Sequence, residues 1–142
     1  MVGIGASAGG LEAIKYFVDK IDAHSGLTYI FIQHLSPKRR SYLPELLQKS
    51  CSIPVHEATD GLKPLPNHVY TIPSDQILRL VEGVLRLEPR SSFQSDGPLL
   101  PIDLFFNSMA QEYKWINLKS WGGIEIGVRY LQKIETWIIT WI

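Results

Sequence analysis

The first ten residues constrain this chain more than any other stretch. An apolar strand end, Met1 to Ile4, runs into Gly5-Ala6-Ser7-Ala8-Gly9-Gly10. A helical stripe follows, with Leu11, Ile14, Phe17, Val18 and Ile21 on one face of a helix predicted over 11–21. The next apolar run, Leu27 to Ile32, is nearly unbroken, as in a strand covered on both faces. Strand, glycine turn, helix and buried strand together predict a right-handed parallel unit, and hence an α/β fold with a mostly parallel sheet.

The glycine turn also carries chemistry. Gly5-Ala6-Ser7-Ala8-Gly9 fits G-x-S-x-G, in which a sharp strand-to-helix turn lifts a serine hydroxyl clear of the backbone. Ser7 is then a nucleophile, and the N–H groups of Ala8 and Gly9, at the start of the helix, are donors for an oxyanion. The same residues fit two other readings. Gly3-x-Gly5-x-x-x-Gly9 is close to a phosphate-cradling dinucleotide turn, and small residues here also serve simply to pack a helix onto a strand.

The end of the second strand bears on that choice. A dinucleotide site wants a carboxylate there for a ribose hydroxyl, whereas this strand ends in Gln33-His34. Of the four histidines, His24, His34, His56 and His68, only His34 follows the carboxyl end of a predicted buried parallel strand. Ser7 follows the first strand at the same edge. If the strands are neighbours, the two form the Ser–His half of an acyl-transfer site.

Composition narrows the function classes. In 142 residues, 14 Lys and Arg balance 14 Asp and Glu, so no long-range field favours nucleic acid or an anionic membrane. The single cysteine, Cys51, has no internal disulfide partner. No apolar run approaches a membrane span and nothing at the N-terminus reads as a signal peptide, so a reducing cytoplasmic setting is expected. No metal or organic cofactor is expected either.

Further along, a helix is predicted over about 41–50, burying Leu43, Leu46 and Leu47, after the basic cluster Lys38-Arg39-Arg40. That cluster reads as a solvated patch or a contact for an acidic partner. A short strand is expected over 54–58 and another over 68–73. Runs 77–81 and 84–88 flank Glu82-Gly83, which predicts a β-hairpin. A helix is expected over 102–112, with Asp103 in its first turn. After Lys114 the character changes: all four tryptophans, Trp115, Trp121, Trp137 and Trp141, lie in a tail without aspartate. Residues 115–142 read as a Trp-rich tail that is unassigned, and an exposed 137–142 segment as an aggregation hazard.

Several segments together resemble a known family. They are Gly3 to Ala13, Gln33-His34-Leu35-Ser36-Pro37, Glu57-Ala58-Thr59-Asp60-Gly61, Pro66 to Pro73 and Leu100 to Phe106. In this order they resemble the CheB-type protein-glutamate methylesterase domain, in particular the version fused ahead of a CheR-type methyltransferase. The resemblance covers 1–114, taken as an incomplete domain. It implies a doubly wound, Rossmann-like three-layer fold with a hairpin insertion. It implies hydrolysis of γ-glutamyl methyl esters on methyl-accepting chemotaxis receptors, with glutamine deamidation beside it, in chemotaxis signal transduction and its phosphorelay.

Carried over, Ser7 is the nucleophile and His34 the base. The family's orienting aspartate, in a glycine-rich segment with Asp-Gly, has no match in 115–142, and Asp60 and Asp103 fall in signatures that are not that acid. An inactive truncated remnant or binding module therefore stands beside the active enzyme, with a nucleotide-binding domain as a further alternative. No receiver segment is recognised, so phosphorylation within these residues is not expected.

Overall fold

The computed structural model describes residues 1–6, 11–33, 41–93 and 101–112, and the backbone of 117–121, 124–131 and 134–141. The elements in order are β1 (Val2–Ala6), α1 (Leu11–Asp19), β2 (Thr28–Gln33), α2 (Leu43–Gln48), β3 (Val55–Glu57), β4 (His68–Thr71), β5 (Gln76–Val81), β6 (Val84–Pro89), α3 (Pro101–Glu112), β7 (Asn117–Trp121), β8 (Ile124–Leu131) and β9 (Ile134–Trp141). Seven strands form one sheet in the order β3-β4-β2-β1-β9-β8-β7, and β5-β6 stand apart as a hairpin. Pairing is parallel from β3 across to β9 and antiparallel from β9 to β7.

Side-chain alternation along β1 and β2 sorts the core into two layers. Val2, Ile4 and Ala6 of β1 and Tyr29 and Phe31 of β2 pack with Ile14 and Val18 of α1 and Leu43 and Leu47 of α2. Ile30 and Ile32 of β2 point the other way and pack with Phe105 and Met109 of α3 and with Leu78, Leu80 and Leu85 of the hairpin. Helices therefore cover both faces of a mostly parallel sheet, as the sequence predicts. All six residues of β2 are buried, which accounts for its unbroken apolar run.

On β1 the α3 side is lined by glycine. A Cβ at Gly3 would lie 2.8 Å from Phe106 Cε1, and one at Gly5 2.6 Å from Ile102 Cγ2. The two glycines thus let α3 lie directly against the strand backbone. Since Ile102 meets Gly5 and Met109 meets Gly3, α3 runs antiparallel to β1 and starts at its carboxyl end.

The predicted hairpin is present. Glu82 and Gly83 have φ of 51° and 74°, the paired positive values of a type I′ turn. Both of its edges are closed. On the β5 side, Ser108 Oγ of α3 accepts from Leu80 N–H at 2.9 Å, and one turn later Glu112 accepts from Glu82 N–H. On the β6 side, Leu62 and Leu85 form a backbone bridge, and Asp60 Oδ1 accepts from Leu87 N–H at 2.9 Å. Strand β3, at one end of the large sheet, is braced by Gln48. Its Oε1 accepts from Val55 N–H, and its amide nitrogen approaches the carbonyls of Cys51 and Ile53.

The boundaries differ slightly from expectation. Helix α1 ends at Asp19, although Ile21 still packs against its cluster. Helix α2 is shorter than 41–50, and Leu46 is only half-buried. Residues 117–141, expected only as part of an unassigned tail, supply three strands, and β9 takes the place beside β1 opposite β2. The cluster Lys38-Arg39-Arg40 lies outside the described residues.

Candidate active site

The sequence puts its candidate site just past the ends of β1 and β2. These strands are direct neighbours, in register from Val2↔Tyr29 to Ala6↔Gln33. The next residues along the two strands are Ser7 and His34. Ser7, Ala8, Gly9 and His34 themselves lie outside the described residues. What the structure gives is their frame: the last pair of two adjacent parallel strands, with α1 starting at Leu11 and α3 at Pro101.

The frame is tightly packed where it meets the site. Ala6 is buried against the α1 layer at 2% exposure, and Gly5 is held from the other side by Ile102 and Phe106. Gln33, the residue opposite Ala6, is also buried, at 9% exposure. An amide at this depth is the one polar member of β2's carboxyl half, and sequence reasoning, drawn to the histidine that follows, misses it. The available signal is a polar residue closing an otherwise apolar strand.

The other histidines are placed elsewhere. His24 is exposed in the loop after α1, where its backbone N–H donates to Asp22 Oδ1 at 2.8 Å. His56 and His68 stack at 5.4 Å between ring centroids on β3 and β4. His68 stands at the amino end of β4, and its Nδ1 donates to Pro66 O at 2.9 Å. Asp60 braces the hairpin and pairs with Arg86 at 3.6 Å, while Asp103 is exposed on the first turn of α3. Asp60 thus serves the hairpin, whereas Asp103 stands on the helix whose first turn, at Ile102, packs on Gly5 toward the carboxyl end of β1.

Strand β9 flanks β1 on its other side, with Gly5 in register with Thr140. Its carboxyl end therefore carries Thr140 and Trp141, and no carboxylate. Strand β2 likewise ends in an amide, not in the acid a ribose-binding site requires. Among the described residues, no three His, Cys, Asp or Glu side chains gather as metal ligands, and no helix is long and apolar enough to cross a membrane.

Comparison with known proteins decides the family. The profile of the CheB methylesterase family matches residues 2–118. This chain belongs to that family. Among curated relatives, a protein-glutamate methylesterase/protein-glutamine glutaminase of Yersinia pestis biovar Antiqua (strain Antiqua) is 35% identical over 116 residues, covering 78% of this chain and 32% of the relative. One of the same name from Chromohalobacter salexigens is 36% identical over 112 residues, 76% of this chain and 31% of the relative. The chain thus spans about a third of the length of the curated relatives it matches.

Among solved structures, the Thermotoga maritima CheB methylesterase catalytic domain superposes with a TM-score of 0.67 at 24% identity, over 80% of this chain and 61% of that one. The CheB fold, a mostly parallel sheet between helices with a hairpin, is the fold seen here.

Proposed function

We propose that this domain hydrolyses γ-glutamyl methyl esters on methyl-accepting chemotaxis receptors, with Ser7 as nucleophile and His34 as general base. The observation that carries the reading is the β1–β2 register. Ala6 and Gln33 are paired at the carboxyl edge of adjacent parallel strands, so a nucleophile and a base that each come one residue later belong to one edge. The names of the relatives support protein glutamate methyl esters and protein glutamine as substrates, while the chemotaxis receptor comes from the sequence resemblance.

In this mechanism His34 takes the Ser7 proton as the hydroxyl oxygen attacks the ester carbonyl. The N–H groups of Ala8 and Gly9 stabilise the tetrahedral oxyanion. Collapse expels methanol, protonated by His34, and leaves an acyl-serine. Water, deprotonated by His34, then releases the glutamate carboxylate. With a glutamine substrate the leaving group is ammonia. The partners are chemoreceptor segments and, from the sequence resemblance, a CheR-type methyltransferase domain. The setting is cytoplasmic.

A second reading is favoured by one specific observation. The strand beside β1 ends in Thr140 and Trp141, and 115–142 contains no aspartate to orient the imidazole. In a serine protease, loss of the charge of the orienting acid lowers turnover about 10⁴-fold. An inactive or binding version of the domain is thus the alternative. Labelling of the folded chain by a fluorophosphonate probe separates the two. Stoichiometric labelling that Ser7→Ala abolishes supports the esterase reading, and a folded chain that does not label supports the alternative.

A further inference from the structure

Two histidines that the esterase mechanism leaves unused meet on the sheet. His56 of β3 and His68 of β4 bring their ring centroids to 5.4 Å. Register accounts for the pairing: His56 is opposite Tyr70, which follows His68 by two residues, so all three side chains project from one face. Tyr70 is buried, and its ring lies 5.8 Å from His56 and 6.2 Å from His68. His68 is half-buried and His56 exposed. An aromatic ring thus backs the pair, while solvent reaches it from outside.

The tautomer of one ring is set by its neighbour. A carbonyl only accepts, so the 2.9 Å contact of His68 Nδ1 with Pro66 O puts the proton of the neutral imidazole on Nδ1 and the lone pair on Nε2. Metal-ligating histidines are typically held in this way, with one nitrogen donating to a carbonyl and the other aimed at the ion. The separation of the rings also suits a shared ion. Bonds of about 2.0–2.1 Å from nitrogen to a tetrahedral ion put two imidazole centroids about 5 Å apart. The ring planes are 20° apart, so one ring must turn for a nitrogen of each to reach the same ion. His56, being exposed, has room to do so.

We propose that His56 and His68 form a two-imidazole site for a divalent late transition ion, of the class of Zn²⁺, Ni²⁺ and Cu²⁺, which staples the edge strand β3 to β4. Imidazole nitrogen selects these ions over Mg²⁺ and Ca²⁺, which prefer oxygen. No third His, Cys, Asp or Glu joins the pair among the described residues, so water completes the coordination and the ion exchanges readily. The site stands apart from the Ser7–His34 chemistry, since β2 separates β4 from β1.

The test is calorimetric titration of the folded chain with Ni²⁺, Zn²⁺ and Mg²⁺, repeated on His56→Gln, His68→Gln and, as a control, His24→Gln, with circular dichroism melts of each. Binding of Ni²⁺ and Zn²⁺ that weakens by about tenfold or more in each of the first two variants, and is unchanged in His24→Gln, is the expected result. No binding of Ni²⁺ at millimolar concentration overturns the proposal. So does affinity unchanged in folded His56→Gln or His68→Gln, affinity lost in folded His24→Gln, or Mg²⁺ bound as strongly as Ni²⁺. Independently of any variant, Zn²⁺ is expected to shift the ring ¹⁵N resonances of both His56 and His68 in the unmutated chain, and resonances that stay in place overturn the site.

Discussion

Ile102 of α3 lies over Gly5 of β1 so closely that a Cβ on the glycine would fall 2.6 Å from Ile102 Cγ2 and 3.2 Å from Phe106 Cε2. Neither atom is the free end of a flexible chain, so a methyl group there forces helix and strand apart. Gly5→Ala is expected to destabilise the domain by about 1–3 kcal/mol through overpacking. Ile102→Ala should recover part of that loss when added to Gly5→Ala, although alone it is destabilising. Urea unfolding of the two single variants and the double variant measures the coupling; additive effects would mean that the contact is relieved elsewhere.

Ser108 ties the hairpin to the same helix. Its hydroxyl donates to Phe105 O at 2.7 Å and accepts from Leu80 N–H at 2.9 Å, both within the buried core. Ser108→Ala leaves the Leu80 donor without that acceptor, at a cost of about 1–3 kcal/mol. Amide exchange at Leu80 should accelerate more than at Ile30 in the centre of β2. Equal acceleration at the two sites would show a global loss of stability with no local loosening of the hairpin.

How much of the fold is legible in the sequence depends on whether local pattern and tertiary placement agree. The stripe Ile14 and Val18 is readable because one face of α1 meets one layer of core, which Ile21, just past the helix, also joins. The hairpin is readable from two residues because Glu82-Gly83 takes positive φ at both positions. The adjacency of β1 and β2 is readable for a similar reason: two apolar runs joined through one amphipathic helix predict a parallel pair. The close fit of Gly3 and Gly5 against α3 is hidden, because it depends on Ile102, Phe106 and Met109, far along the chain. Strand β8 carries a local signal, since Ile124, Ile126, Val128 and Tyr130 alternate with Glu125, Gly127 and Arg129, but the place of β9 beside β1 depends on a distant neighbour and has no local signal.

The hairpin turn offers a stabilising change. Glu82 holds φ of 51° in a conformation that costs an ordinary L-residue about 1 kcal/mol, whereas asparagine adopts it more readily. Glu82→Asn gives the turn its favoured Asn-Gly sequence and is expected to raise stability by about 0.5 kcal/mol. Gly83→Ala, at φ of 74°, is expected to lower it by about 1 kcal/mol. No atom lies within 4 Å of a Cβ at Gly83, so the loss would come from backbone conformation alone. Thermal melts of both variants check the pair of signs; a stable Gly83→Ala would show that the turn relaxes to another type.

Cys51 links stability to alkaline pH. It is 8% exposed in the layer formed by Leu47 and Ile53, and burial pushes its thiol above the ordinary value of 9.0, a shift that the hydrogen bond with the Ile53 backbone opposes. The folded chain therefore keeps the thiol proton at pH values where the unfolded chain has released it. With more protons bound in the folded state, stability falls as pH rises. The contribution is fully present below 9.0 and is lost as pH climbs through the raised folded value. Cys51→Ala removes this dependence, at the cost of a small cavity at every pH. Urea unfolding at about pH 7 and about pH 10 should show a larger drop for the unmodified chain than for Cys51→Ala. Identical drops would place the alkaline sensitivity on other groups. The same burial predicts slow reaction of Cys51 with a disulfide reagent at about pH 7 until urea opens the α2–β3 region, since the thiolate is the reacting species.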